Sequence, residues 1–219
     1  MPPVAGLLLT GGASSRLGVS KAELLRDGER LADRGARLVA AVSDPALEVG
    51  PGVTALPSVR EQPVGAGPLA ALVAGATEAT RRHATSGVLL LAVDLPFVEA
   101  PLLAWLAEHP APGAVVPRVD GVPQPLCARY ADSDLPVAVR LRAAGQASMR
   151  ALLDAVPVTY ADEAGWGAVA DRGAFLDVDT ADAVRRAGLE WPAPPPGRPR
   201  GTGDAHPIIR PLPPDRRAR

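Results

Sequence analysis

The 219-residue sequence is poor in several residue types. It has one cysteine, Cys127, no asparagine, isoleucine only at Ile208 and Ile209, and lysine only at Lys21. A lone cysteine cannot close an internal disulfide, so a reducing, cytoplasmic setting is the expectation. Aromatic residues make up 3% of the chain, which argues against the stacking platforms that hold single-stranded nucleic acid. The net charge of −1 argues against general DNA or RNA binding. No apolar run approaches the ~20 residues of a membrane span. The N-terminus reads straight into an apolar segment, without the charged region and cleavage site of a leader. Neither nucleic acid nor membrane is therefore expected as a partner.

What the chain has is small aliphatic residues. Hydrophobic residues reach 47%, much of it Ala, Val and Leu, as suits buried parallel strands covered by helices. Strands are predicted at 4–9, 46–50, 87–93, 113–119, 123–130, 158–161 and 174–179. The run at 87–93 is apolar throughout and predicted central. The prolines in 113–119 and 123–130 put those two near a sheet edge. Helices are predicted over 29–42, from Pro68 onward, and over 99–109, 133–145, 148–156 and 180–188, with Thr180 as N-cap. A turn is expected at Asp27-Gly28. The alternation implies an α/β fold with a mostly parallel sheet. From Trp191 the pattern stops: nine of the last 29 residues are proline and the segment carries +4. One domain over 1–190 and a disordered tail over 191–219 are expected.

The strand at 4–9 runs into "TGGASSRLGVSK". Gly11 and Gly12 leave no Cβ between backbone and ligand, so their N–H groups can cradle phosphate oxygens. Arg16 and Lys21 add positive charge. A structural glycine turn is the alternative. The spacing matches neither a P-loop nor the dinucleotide fingerprint. Asp94 follows an apolar strand and precedes Leu95-Pro96. A carboxylate there is costly unless paired or metal-bound, and hard oxygen ligands suit Mg²⁺. A helix cap near Pro96 is the alternative.

"LTGGASSRLGVSKAEL" resembles the signature loop of the nucleotidyltransferases related to MobA, the molybdenum cofactor guanylyltransferase. It meets that signature at Leu9, Thr10, Gly11, Gly12, Ser14, Arg16, Leu17, Gly18 and Lys21. "GAGPLAAL" (65–72), "LAVDLPFV" (91–98) and "FLDVDTADAV" (175–184) resemble three further family segments, in the family's order. The resemblance covers about 6–189. It implies a Rossmann-like nucleotidyltransferase fold with helices on both faces of the sheet. It implies GTP and molybdopterin as substrates, Mg²⁺ as cofactor, and transient contact with proteins that insert the finished cofactor. By this resemblance Leu9, Thr10, Gly11, Gly12 and Lys21 hold the nucleotide. Glu61 is the nearest match to an acidic nucleotide contact, Gly67 belongs to the same segment, and Asp94 binds nucleotide and metal. Where relatives carry asparagines, this chain has Asp177 and Asp179. In a strand the pair would share one face, and Asp179 is favoured as metal-proximal.

The reaction so implied is displacement at the α-phosphorus of GTP by the molybdopterin phosphate, with pyrophosphate leaving. Lys21, Arg16 and Asp94 are the expected catalytic residues. A phosphate attacker is already anionic, so no Ser/His/Asp or Cys/His set is required. His83, His109 and His206 are assigned no role, and Cys127 is expected to pack. The competing readings are a relative using CTP or another phosphate acceptor, and a nucleotide-binding regulator without catalysis.

Overall fold

The structure, a computed structural model, describes residues 3–11 and 19–192. The elements follow in order. β1 (Ala5–Leu9) leads to a 3₁₀ turn at Lys21–Glu23 and a small hairpin of β2 (Leu25–Arg26) and β3 (Glu29–Arg30). Then come α1 (Leu31–Ala40), β4 (Ala46–Val49), β5 (Ser58–Val59), α2 (Pro68–Arg82), β6 (Gly87–Ala92), α3 (Ala100–Glu108), β7 (Ala114–Val119), β8 (Val122–Pro123) and β9 (Cys127–Ala131). The chain continues with α4 (Leu135–Ala143), α5 (Met149–Leu153), β10 (Val158–Ala161), α6 (Glu163–Trp166) and α7 (Ala181–Arg186).

The main sheet has the order β10-β7-β9-β6-β1-β4-β5, with β8 beside β7. β1 pairs in parallel with β4 and β6, β4 with β5, and β7 with β10, whereas β9 runs antiparallel to both neighbours. The sheet is thus mostly parallel, with β6 at its centre as expected. Alternation along β1 divides the core. Leu7 and Leu9 pack towards α2 and α5, while Leu8 packs towards α1 and α3. Burying each such leucine stabilises the fold by about 1.5–3 kcal/mol. The Asp27-Gly28 turn is present, with φ of 53° and 78°, the left-handed pair that a two-residue hairpin needs. Pro68 opens α2, and the Thr180 hydroxyl accepts from Ala183 N to cap α7.

β7 and β9 are the second and third strands from the β10 edge, near it as expected. Pro123 and Pro125 precede the β9 ladder, which starts at Cys127, so they remove no hydrogen bond from it. Two expectations need correction. Residues 29–30 are strand, and α1 starts at Leu31. Residues 174–179 form no strand: a 3₁₀ turn spans Arg172–Phe175 and irregular chain follows. Side-chain anchoring replaces strand pairing here. Phe175 is buried against Trp166, and Val178 enters a separate cluster with Leu24, Leu31 and Val184. Gly12, Arg16 and the segment 193–219 lie outside the described residues.

Candidate active site

Register creates the site. Leu9 stands level with Val49 on one side and Ala92 on the other. Thr10 N donates to Val49 O at 3.1 Å, and Val93 N donates to Leu9 O at 3.0 Å. The carboxyl ends of β1, β4 and β6 therefore finish together, where open α/β sheets bind ligands. A cleft of about 340 Å³ opens there, within the range of nucleotide-sized pockets. Leu9, Thr10, Gly11, Lys21, Glu61, Gly67 and Asp94 all line it. These seven were named from sequence positions up to 85 residues apart. Ser20, Val49, Ala71 and Leu126 complete much of the wall.

Lys21 sits on the 3₁₀ turn before the hairpin. Its Nζ donates to Asp94 Oδ2 at 3.2 Å and also to Asp179 Oδ1. Burial pulls the Lys21 pKa down, but the Asp179 hydrogen bond and the Asp94 charge outweigh it, and the net shift is upward. Lys21 is therefore a firmly charged ammonium at neutral pH. Asp177 is the third carboxylate in this group. Burial first, then the charges of Asp179 and Asp94, hold its pKa above the usual aspartate value. Asp94 does not cap α3, whose N-cap residue is Glu99. Instead the turn that follows it is clasped by the hairpin. Arg26 Nη1 donates to Pro96 O at 2.7 Å, and its guanidinium lies over the Phe97 ring.

The far wall is the start of α2. Gly67 has φ +93°, and an added Cβ would lie 2.9 Å from Ala147 O, so only glycine fits. The Glu61 carboxylate accepts from Gly65 N at 2.9 Å and shapes the loop between them. Cys127 is fully buried, and burial pushes its thiol up to about 12. That excludes it as a nucleophile at neutral pH.

Sequence reasoning missed Glu48. It is a fully buried carboxylate in β4, hydrogen-bonded to the Thr10 hydroxyl. Its signal was a charged residue inside "ALEVG", an otherwise apolar strand.

The MobA-like NTP transferase domain matches residues 6–162. The chain belongs to that family. Within the MobA-like proteins, it is 36% identical over 164 residues to a protein of Opitutus terrae named "Probable molybdenum cofactor guanylyltransferase", covering 70% of this chain and 79% of that one. A Deinococcus radiodurans protein of the same name is 35% identical over 157 residues, covering 68% and 79%. The crystal structure of molybdopterin-guanine dinucleotide biosynthesis protein A from Archaeoglobus fulgidus superposes with a TM-score of 0.67 at 24% identity, covering 84% of this chain and 96% of that one. This last likeness is one of fold. Among the described residues of this MobA-like chain, no helix is long and apolar enough to cross a membrane.

Proposed function

We propose that this chain is a guanylyltransferase that moves GMP from GTP to the terminal phosphate of molybdopterin and releases pyrophosphate. The catalytic domain would be residues 1–190, with 191–219 as a tail outside it. The observation that carries the reading is the Lys21 ammonium between Asp94 and Asp179 at the mouth of the Thr10–Gly11 cleft. The names of the Opitutus and Deinococcus relatives support the choice of substrates.

The acceptor phosphate oxygen forms a bond to the α-phosphorus as the α–β anhydride bond breaks. The attacker is anionic at neutral pH, so no general base is needed. The difficulty is bringing polyanions together, and the residues address it electrostatically. Lys21 supplies a mobile point charge that suits phosphate oxygens, and Arg16 is proposed to add a second. The Thr10–Gly11 backbone, which lines the cleft, would approach the phosphates closely, and Gly12 is assigned to the same role from the sequence alone. Leu9, Val49, Ala71 and Leu126 offer an apolar wall to a nucleobase. Glu61 and Gly67 shape the wall opposite.

Asp94 and Asp179 fit a divalent cation, Mg²⁺ in our reading. Both carboxylates reach one ammonium, so they can reach one ion. Among the described residues no group of three or more His, Cys, Asp or Glu is placed to hold a metal ion, so Asp177 is not counted as a third ligand. The remaining ligands would be water and phosphate oxygens, the usual environment of Mg²⁺. When bound, the ion neutralises phosphate charge and favours departure of pyrophosphate. Cytoplasmic operation, and transient transfer of product to insertion proteins, belong to the same proposal.

The test is incubation of purified protein with Mg²⁺, molybdopterin and either GTP or CTP, following pyrophosphate and the dinucleotide product. GTP-dependent release of both is expected. Release with CTP alone would replace the base assignment, and nucleotide binding without release would replace catalysis by regulation.

A further inference from the structure

Glu48 takes no part in the chemistry above, yet it is held as tightly as any group beside the cleft. It is 0% exposed. Oε1 accepts from Thr10 Oγ1 at 2.5 Å, Gly52 N at 2.8 Å and Val53 N at 3.0 Å. Oε2 accepts from the Thr54 amide and hydroxyl, both at 2.8 Å. Only an ionised carboxylate can accept from all of these at once. Burial raises its pKa, but the hydrogen bonds from Thr10, Val53 and Thr54 outweigh burial and the net shift is downward.

The geometry explains why the charge is there. Leu8 is level with Glu48 in the β1–β4 register, and Thr10 follows two residues later on the same face. The Thr10 hydroxyl hydrogen points at Glu48, so what Thr10 and Gly11 offer the cleft is backbone. Gly50 closes the arrangement, because a Cβ there would lie 2.0 Å from Thr10 Oγ1. Gly11 has no side chain to anchor itself. Its orientation depends on the peptide before it, and that peptide depends on Thr10.

We infer that Glu48 is a positioning residue for the nucleotide site, holding the Thr10–Gly11 backbone at the cleft rim through the Thr10 hydroxyl. This rests on the nucleotidyltransferase reading and deepens it. With the bond broken, the ligand itself must order the rim, and affinity falls because that preorganisation is lost.

Thr10→Val and Thr54→Val each remove one donor from the same carboxylate, but Thr54 lies outside the cleft lining. Both should lower the melting temperature. Calorimetric titration with GTP and Mg²⁺ should show affinity reduced roughly tenfold in Thr10→Val and restored by Thr10→Ser. In Thr54→Val it should stay within about twofold of wild type, as expected of a separate site. If Thr10→Val does not fold, Thr10→Ala carries the same expectation. Equal loss of affinity in the Thr10 and Thr54 variants would make Glu48 a purely structural anchor. Wild-type affinity in folded Thr10→Val would refute positioning outright. A wild-type protein that binds neither GTP nor CTP would sink the nucleotide reading, and this inference with it.

Discussion

Replacing Lys21 by methionine keeps the length and apolar stem of the side chain and removes its charge. Its ion pairs to Asp94, at 3.2 Å, and to Asp179 disappear. Their side chains are 27% and 55% exposed, so each pair contributes about 0.2–1 kcal/mol after solvent screening. A second effect adds to this. Asp177 already feels Asp94 and Asp179, and Lys21 pulls in the opposite direction. Without the ammonium the three carboxylates repel one another. A total loss of about 1–2 kcal/mol follows, which for a chain of this size lowers the melting temperature by roughly 2–8 °C. Millimolar Mg²⁺ should recover more of that loss in the variant than it adds to wild type, because the Lys21 charge no longer competes for the Asp94 carboxylate. Turnover should not recover with it: removing one preorganised charge from a phosphoryl-transfer site lowers kcat by roughly 10²–10³. Thermal unfolding with and without Mg²⁺, beside pyrophosphate release, reads both effects. Should Lys21→Met melt within a degree of wild type with no greater response to Mg²⁺, the electrostatic account of the site is wrong. Should Mg²⁺ restore turnover as well as stability, Lys21 only neutralises acids and does not act on phosphate.

Asp94→Asn keeps the shape of the turn that Arg26 clasps. It should leave the melting temperature within a few degrees while lowering turnover at least roughly a hundredfold; activity near wild type would remove Asp94 from the metal assignment. Glu48, with its pKa held below the ordinary glutamate value, stabilises the fold above the unfolded-state pKa, and this stability is lost as pH falls through the folded-state value. Glu48→Gln should therefore lower stability at pH 7 by roughly 2–4 kcal/mol and flatten the acid limb of the stability–pH curve, and an unchanged limb in denaturant titrations would contradict this. Gly67→Ala puts a side chain at φ +93° and a Cβ 2.9 Å from Ala147 O. It should cost about 1–3 kcal/mol by urea unfolding and weaken nucleotide binding, and unchanged stability would show that the start of α2 can shift freely.

Much of the fold was legible because its signals are local. "GVLLLAV" reads as a buried strand wherever it occurs, and it is the centre of the sheet. The Asp27-Gly28 pair and Pro68 each require one backbone conformation, and each has it. Residues 174–179 were misread because Leu176 and Val178 alternate with Asp177 and Asp179 as strand residues do, whereas Leu176 is exposed and Phe175 and Val178 serve two different packing clusters. The prolines of β7 and β9 placed these strands near an edge, and they lie second and third from it, with Pro117 inside β7 level with Ala161 of the edge strand β10. Among the site residues, the glycine loop and Asp94 stood out because their composition is costly without a ligand.

The amino-acid sequence alone determined the α/β class, the strand that ends at Asp94, and the chemistry offered by Lys21, Asp94 and the glycine loop. Backbone conformation and the burial of apolar runs depend on near neighbours, so a one-dimensional pattern carries them. Only the tertiary structure decided that Lys21 meets both Asp94 and Asp179, across 73 and 158 residues of chain, and that Glu48 supports Thr10 from behind the cleft. Those contacts follow from strand order and register. Both depend on how the whole sheet packs, which no single segment encodes.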